Sequence, residues 1–243
     1  MGMHQKRKMQ FGILAAGHGS RLANEGASLP KPLIPVGGVP MIERLVRIFE
    51  RCGAESVSVV INGFMPQVED FLRSLKMKEG VPLNIKVKTT PSSMHTFYEL
   101  ASMLAGKGRF IATTVDTIFR EDNFRDYAEA FRQSPESVDG MMAVTDYIDD
   151  EKPLYVETGG NLDILSFRDS AWEEARYVSG GIYGLDSKAL TILDDCMRRG
   201  VSRMRNYQRA LVDAGLGLKA FPMGRIIDVD HVEDIPKAEA LLA

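Results

Sequence analysis

Apolar positions along the chain switch repeatedly between two spacings. Residues 10–15 are a short apolar run, the pattern of a strand. Ile42, Leu45, Val46 and Phe49 then recur at i, i+3, i+4 and i+7, which predicts a helix over 40–52. The short β-branched run at 57–61 predicts a buried strand. Val68, Phe71, Leu72 and Leu75 return to helical spacing, and residues 83–87 alternate like a strand. Met94, Phe97, Tyr98 and Ala101 are helical again, and 110–115 predict a strand ending at Asp116. Phe124, Tyr127, Ala128 and Phe131 make the next helix. Over this half the order is strand, helix, strand, helix, four times, as in a parallel sheet covered on both faces.

The second half changes character. Strands are predicted at 141–145, 154–157, 162–167 and 177–185, with Gly159, Gly160 and Asn161 turning the chain between two of them. Helices follow at 187–198 and 203–214, carrying Ala189, Ile192, Leu193 and Cys196 on one face of the first, and Tyr207, Ala210, Leu211 and Ala214 on one face of the second. A strand over 225–229 and a helix over about 232–242 end the chain. No linker, repeat or low-complexity tract intervenes. The expectation is one α/β domain over 1–243: a Rossmann-like, mixed but mostly parallel sheet flanked by helices. A nucleotide-binding half would cover about 10–135, and an acceptor-binding half with a C-terminal metal segment about 136–243. Ligands of open α/β sheets lie at the carboxyl ends of strands, which singles out 15–33, 89–95, 116–117 and 228–231.

Composition narrows the partners. With 44% hydrophobic and 26% charged residues the chain is neither disordered nor fibrous. A formal net charge of -3 supplies no basic field for nucleic acid or an acidic membrane. Cys52 and Cys196 are too few for a disulfide framework, which fits a reducing, cytoplasmic setting. No apolar run approaches the ~18 residues of a membrane span. The basic start MGMHQKRKMQ has no apolar signal core behind it. Gly2 would suit N-myristoylation, but Lys6 stands where that signal has Ser or Thr. The oligomeric state is open, a homo-oligomer included.

The richest stretch is LAAGHGSRLANEGASLPKPL, residues 14–33. It fails two common phosphate-loop patterns. Gly12 to Gly17 has P-loop spacing, but His18 and Gly19 replace the required Lys and Ser/Thr. Gly17 and Gly19 begin a dinucleotide fingerprint, but Leu22 takes its third glycine position. What survives is physical. Two glycines after a strand let several N–H groups converge on one anion. Arg21 adds a forked, permanent cation, and Lys31 is stiffened between Pro30 and Pro32.

This stretch resembles the signature of the nucleotidyltransferases that make sugar nucleotides, L-A-A-G-x-G-[ST]-R-[LM] followed by P-K-P-L. That family includes sugar-1-phosphate nucleotidylyltransferases and, more distantly, phosphocholine cytidylyltransferases and molybdopterin guanylyltransferases. The resemblance continues at Pro40-Met41-Ile42-Glu43, Thr114-Val115-Asp116-Thr117, Ser179-Gly180-Gly181-Ile182-Tyr183, and Asp228-Val229-Asp230 with Glu233-Asp234-Ile235. It implies a fold of the nucleotide-diphospho-sugar transferase type. It also implies a reaction joining an NTP to a sugar 1-phosphate with release of pyrophosphate, assisted by Mg²⁺.

In that reaction the acceptor phosphate is already an anion, so positioning and charge neutralisation suffice. By resemblance, Leu14, Ala15, Ala16, Gly17, Gly19, Ser20 and Arg21 surround the nucleotide. Arg21 and Lys31 are the catalytic cations, Lys31 bridging the α-phosphate and the incoming phosphate. Asp116 is the first metal ligand, and Asp228 or Asp230 the second, with Asp228 the first choice. The family's glycine-rich base loop is missing. SSMHTFYEL stands in its place, leaving Thr90 and Ser93 as polar base contacts. His95 reads as structural, and Met94, Phe97 and Tyr98 as core. Glu157, Arg168, Ser179 and Gly181 are acceptor candidates by position. Trp172 invites a stacking or cation–π role, with an aromatic choline box as its boldest form.

Three other readings remain. One keeps the chemistry as a cytidylyltransferase acting on phosphocholine or a polyol phosphate. Another is a catalytically inactive, nucleotide-binding regulatory protein. A metal-dependent glycosyltransferase would explain the D-x-D at 228–230, but such a motif ends a mid-chain strand in those enzymes, and here it lies close to the C-terminus.

Overall fold

The computed structural model describes residues 9–77, 80–104, 106 and 108–243. Gly2 and Lys6, on which the acylation motif turns, lie outside them. The chain opens with β1 (Met9–Ala15), buried along its whole length. The long loop that follows is not bare. It contains a short helix α1 (Ser20–Asn24), a 3-10 turn over Lys31–Leu33, and a small hairpin of β2 (Pro35–Val36) and β3 (Val39–Pro40). Then come α2 (Met41–Arg51), β4 (Ala54–Ile61), α3 (Pro66–Ser74), β5 (Leu83–Val87), α4 (Ser93–Leu104), β6 (Phe110–Thr114), β7 (Thr117–Ile118) and α5 (Glu121–Gln133). The second half supplies β8 (Gly140–Thr145), β9 (Tyr155–Thr158), β10 (Ile164–Arg168), β11 (Tyr177–Leu185), α6 (Ser187–Arg198), α7 (Met204–Asp213), β12 (Leu218–Pro222), β13 (Ile227–Asp228) and α8 (Asp234–Leu242).

The main sheet has nine strands, ordered β10-β9-β11-β6-β1-β4-β5, with β8 beside β11 and β12 beside β8. β6, β1, β4 and β5 are parallel neighbours. β11 joins β6 antiparallel, so the strands of the second half extend the same sheet. This is the mixed, mostly parallel α/β sheet the sequence predicts. Among the described residues, no helix is long and apolar enough to cross a membrane.

Period-two alternation sorts the strand side chains onto two faces. Phe11 and Ile13 of β1 pack with Ile42, Leu45 and Phe49 of α2 and Phe124 and Phe131 of α5. Leu14 faces the other way, into a core with Phe97 and Leu100 of α4, Leu193 of α6 and Tyr207 of α7. Gly12 lies on that second face, where a Cβ would come within 2.6 Å of Leu100. Its missing side chain lets α4 lie flat against β1.

A third apolar cluster matters most for function. Leu22, Ile34, Val36, Met41, Ile118, Ile227, Val229 and Ala238 bury one another. They tie α1, the hairpin, β7, β13 and α8 together beyond the carboxyl ends of β1 and β6. Two expectations change here. The predicted strand over 225–229 is only Ile227–Asp228, pairing with β7 in a separate two-stranded sheet. The main-sheet strand absent from the sequence reading is β12, whose LKAFP pairs parallel with β8; the two-residue strands β2, β3 and β7 were not expected either. Its lysine and proline mask the alternation of the buried Leu218 and Ala220.

Candidate functional site

The glycine loop leaves β1 and turns at Gly19, which caps α1 with φ 62, in the left-handed region glycine favours. A Cβ at Gly19 would lie 2.8 Å from Lys31 Cβ. The loop therefore touches the Lys31 backbone across eleven intervening residues, and Leu22, 1% exposed, pins α1 from below. Sequence-distant Arg21 and Lys31 meet at one carboxylate. Asp230 accepts from Arg21 Nη1 at 2.8 Å and from Lys31 Nζ at 2.6 Å. Lys31 Nζ is also ion-paired to Asp116 at the end of β6.

Lys31 is 10% exposed, and burial works against its charge. The flanking Asp116 and Asp230 carboxylates outweigh that and hold its pKa above the ordinary lysine value. Burial likewise opposes ionisation of Asp116, but the Lys31 ammonium and the Thr114 hydroxyl keep its carboxyl below the usual range. Asp228 behaves oppositely. Burial and then repulsion from Asp116 push its pKa well up, although Thr117 donates to it at 3.0 Å. Beneath these acids the Thr114 and Thr117 hydroxyls are 2.6 Å apart. Gly181, with φ 71, leaves room for them: a Cβ would fall 2.8 Å from Thr117 Oγ1 and 3.0 Å from Thr114 Oγ1.

Two clefts meet over this cluster. One, of about 390 Å³, is lined by Leu14, Ala16, Gly17, Gly19, Ser20, Arg21, Lys31, Thr90, Ser93, Asp116 and Asp230, all singled out in the sequence. The other, of about 780 Å³, shares Arg21 and Asp230 and adds Glu25, Thr145, Tyr147, Asp149, Glu151, Ser179, Asp228 and His231. Ala15 lines neither; it is buried in the core beneath α2. Gly181 lies under the floor.

Glu157 and Arg168 line neither cleft. They pair with each other at 2.5 Å across the β9–β10 edge, with Ser166 also donating to Glu157 at 2.6 Å. The Arg168 guanidinium stands 4.8 Å over the Trp172 ring, so this protein's own cation fills the cation–π position of that tryptophan. Tyr155 meets Trp172 edge-on.

Around the start of α4 several hydroxyls are engaged within the protein. Thr90 Oγ1 lies 2.6 Å from Thr96 Oγ1, and Ser93 Oγ accepts from the Met204 N–H at 3.2 Å. His95 is paired to Ser92 Oγ at 2.8 Å, a structural contact.

Sequence reasoning missed the wall of the larger cleft. Its signal was the run Asp146-Tyr147-Ile148-Asp149-Asp150-Glu151 directly after β8, which reads as an ordinary solvated loop. Glu25 and His231 were missed as well. They join α1 to the 230–234 turn, at 2.5 Å between His231 Nδ1 and Glu25 Oε1 and 2.7 Å from Val232 N to Glu25 Oε2.

As for a metal, no group of three His, Cys, Asp or Glu among the described residues is arranged to hold one. A magnesium ion carried by phosphates requires only one or two protein carboxylates. Asp116 and Asp230, on either side of Lys31 and both open to the smaller cleft, meet that need.

Residues 12–160, more than half of the chain, match the model of the MobA-like NTP transferase domain. The chain belongs to that family. The matched MobA-like segment holds the glycine loop, Lys31 and Asp116, and leaves Asp228 and Asp230 outside it. Among curated relatives, the 2-aminoethylphosphonate cytidylyltransferase of Lancefieldella rimae is 32% identical over 103 residues, 41% of this chain and 39% of that protein. The bifunctional protein GlmU of Methanococcus maripaludis is 24% identical over 93% of this chain and 52% of its own. The chain thus spans about half or less of the length of these relatives.

Solved structures with a similar fold include the inositol-1-phosphate CTP transferase from T. maritima, with a TM-score of 0.78, 18% identity and 98% coverage of both chains. A glucose-1-phosphate thymidylyltransferase structure from Bacillus anthracis has a TM-score of 0.81, 23% identity, and covers 96% of this chain and 94% of its own.

Proposed function

We propose that this protein transfers a nucleotidyl group from an NTP to a phosphomonoester and releases pyrophosphate. The observation that carries this is Lys31, locked by Gly19 between Asp116 and Asp230 and beside Arg21, at the strand ends where two clefts join. In this reading the smaller cleft takes the NTP. The loop N–H groups and Arg21 bind its β- and γ-phosphates. Lys31 lies where α-phosphate and acceptor phosphate meet, and neutralises the charge that builds as they approach. The acceptor oxygen is already anionic, so no side chain removes a proton. Asp116 and Asp230 would hold Mg²⁺, which when bound neutralises phosphate oxygens. Asp228 opens only on the larger cleft and is engaged by Thr117, which favours Asp230 as the second ligand. A cytoplasmic setting supplies the NTP.

A sugar 1-phosphate is the first acceptor of this reading. One observation favours the cationic alternative, phosphocholine-like. The larger cleft is lined by eight carboxylates but only Arg21 and Lys237 as permanent cations. An anionic phosphomonoester entering such a wall is stabilised by a positive charge at its far end. Purified protein with Mg²⁺, each NTP and a panel of sugar 1-phosphates, polyol phosphates and phosphocholine tests both readings. Pyrophosphate release requiring all three components is the expected result. Nucleotide binding without release for any acceptor would leave the regulatory protein as the better account.

A further inference from the structure

Phe64 is 74% exposed, in the turn between β4 and α3. It is not a loose residue. The side chain of Asn62, 1% exposed, accepts from the Phe64 N–H at 3.0 Å and from Thr89 Oγ1 at 2.9 Å, and donates to Ala16 O at 3.0 Å. One buried amide thus fastens the carboxyl ends of β1, β4 and β5 and fixes the turn that carries Phe64 against the glycine loop. The Phe64 ring lies over His18, with centroids 6.4 Å apart and planes within 26°. His18 itself lines the smaller cleft, between Gly17 and the Gly19 turn.

We propose that Phe64 and His18 form the aromatic platform on which the NTP base rests. This inference builds on the nucleotidyl-transfer reading and names a contact that reading lacks. The phosphate end of the cleft is fixed by Arg21 and Lys31. The base must lie away from them, and His18 on the cleft wall, with the exposed Phe64 ring stacked on it, offers a flat surface there. The hydroxyls expected to read the base are engaged elsewhere, Thr90 with Thr96 and Ser93 with Met204 N. Stacking then supplies a base contact that does not depend on those hydroxyls. Every base has a π-face, so a stacking platform binds all four with similar strength.

The test is equilibrium binding of ATP, CTP, GTP and UTP, and separately of inorganic tripolyphosphate, to wild type, Phe64→Ala and Phe64→Trp. Phe64→Ala should weaken all four NTPs on the order of tenfold and leave tripolyphosphate unchanged. Phe64→Trp should restore NTP binding and show tryptophan quenching on NTP addition. The side chain is exposed, so folding is not at risk, and an unchanged melting temperature verifies it. Unchanged NTP affinity in Phe64→Ala overturns the platform while the nucleotide reading stands. A wild type that binds neither NTP nor tripolyphosphate overturns both.

Discussion

The two clefts that meet at Arg21 and Asp230 are built by different means. The smaller is made largely of backbone: a glycine turn, a left-handed cap, the end of β6, and cations fixed by covalent neighbours or close packing. The larger is made of side chains from segments far apart in the chain, and most of its charges pair with each other. Lys237, for example, contacts Asp149 and Asp234 at 2.9 and 3.1 Å. Phosphate is the same in every nucleotide, so a backbone cradle serves. On the proposed reading the larger cleft takes the acceptor, which varies, and its wall is written in replaceable side chains.

Four variants sharpen that contrast. The largest effect should come from Lys31→Ala, lowering kcat by about 10²–10³ with the fold intact, since a charge-neutralising donor is lost where charge builds. Steady-state pyrophosphate release measures it, and a near-normal rate removes Lys31 from the site. Gly19→Ala follows. The left-handed backbone and the 2.8 Å approach to Lys31 must both be strained, at roughly 1–3 kcal/mol, so melting temperature and rate should fall together. If only the cleft's side chains mattered, this change would be silent.

On the other side, the double change Asp149→Asn and Glu151→Gln should raise KM several-fold for a cationic acceptor and leave NTP KM alone. An equal shift for a neutral sugar phosphate would break the charge argument. The smallest effect concerns His231, whose pKa is raised by its hydrogen bond to Glu25. The native state holds that proton more tightly than the unfolded chain. The contact therefore stabilises fully below the ordinary histidine value of about 6.5 and is lost as pH rises through the raised value. The melting difference between wild type and His231→Asn should shrink along that rise.

The same contrast explains what the sequence revealed. The half from β1 to α5 was readable because buried parallel strands are continuous apolar runs and each helix shows one apolar face. Arg21, Lys31 and Asp116 were named from a glycine loop, a Pro-Lys-Pro frame and a strand-end acid that together resemble one motif, and the fold brings the three side chains to one place. Glu157 and Arg168 were chosen by position alone; the register sets Glu157 opposite Ser166, and Arg168 reaches it along the diagonal. Asp228 and Asp230 could not be separated. Residues two apart share a side on a strand, but β13 ends at Asp228, and Asp230 enters a turn where its N–H bonds to Asp234 at 3.1 Å. The short helix α1 carries too few apolar residues to announce itself, and β12 is a five-residue run broken by a lysine and ended by a proline.

The apolar cluster joining Leu22 to Ala238 bears on how the molecule comes into being. Strands β1, β4, β5 and β6 and their helices are complete after the first half of synthesis. The glycine loop between them is not, because Leu22 packs against a core that includes α8, and Gly37 N bonds to Glu239 at 3.0 Å. Such contacts close the longest loops in the chain and form late. The glycine loop precedes most of the sheet in the chain, yet its packing is finished only when α8 closes over it.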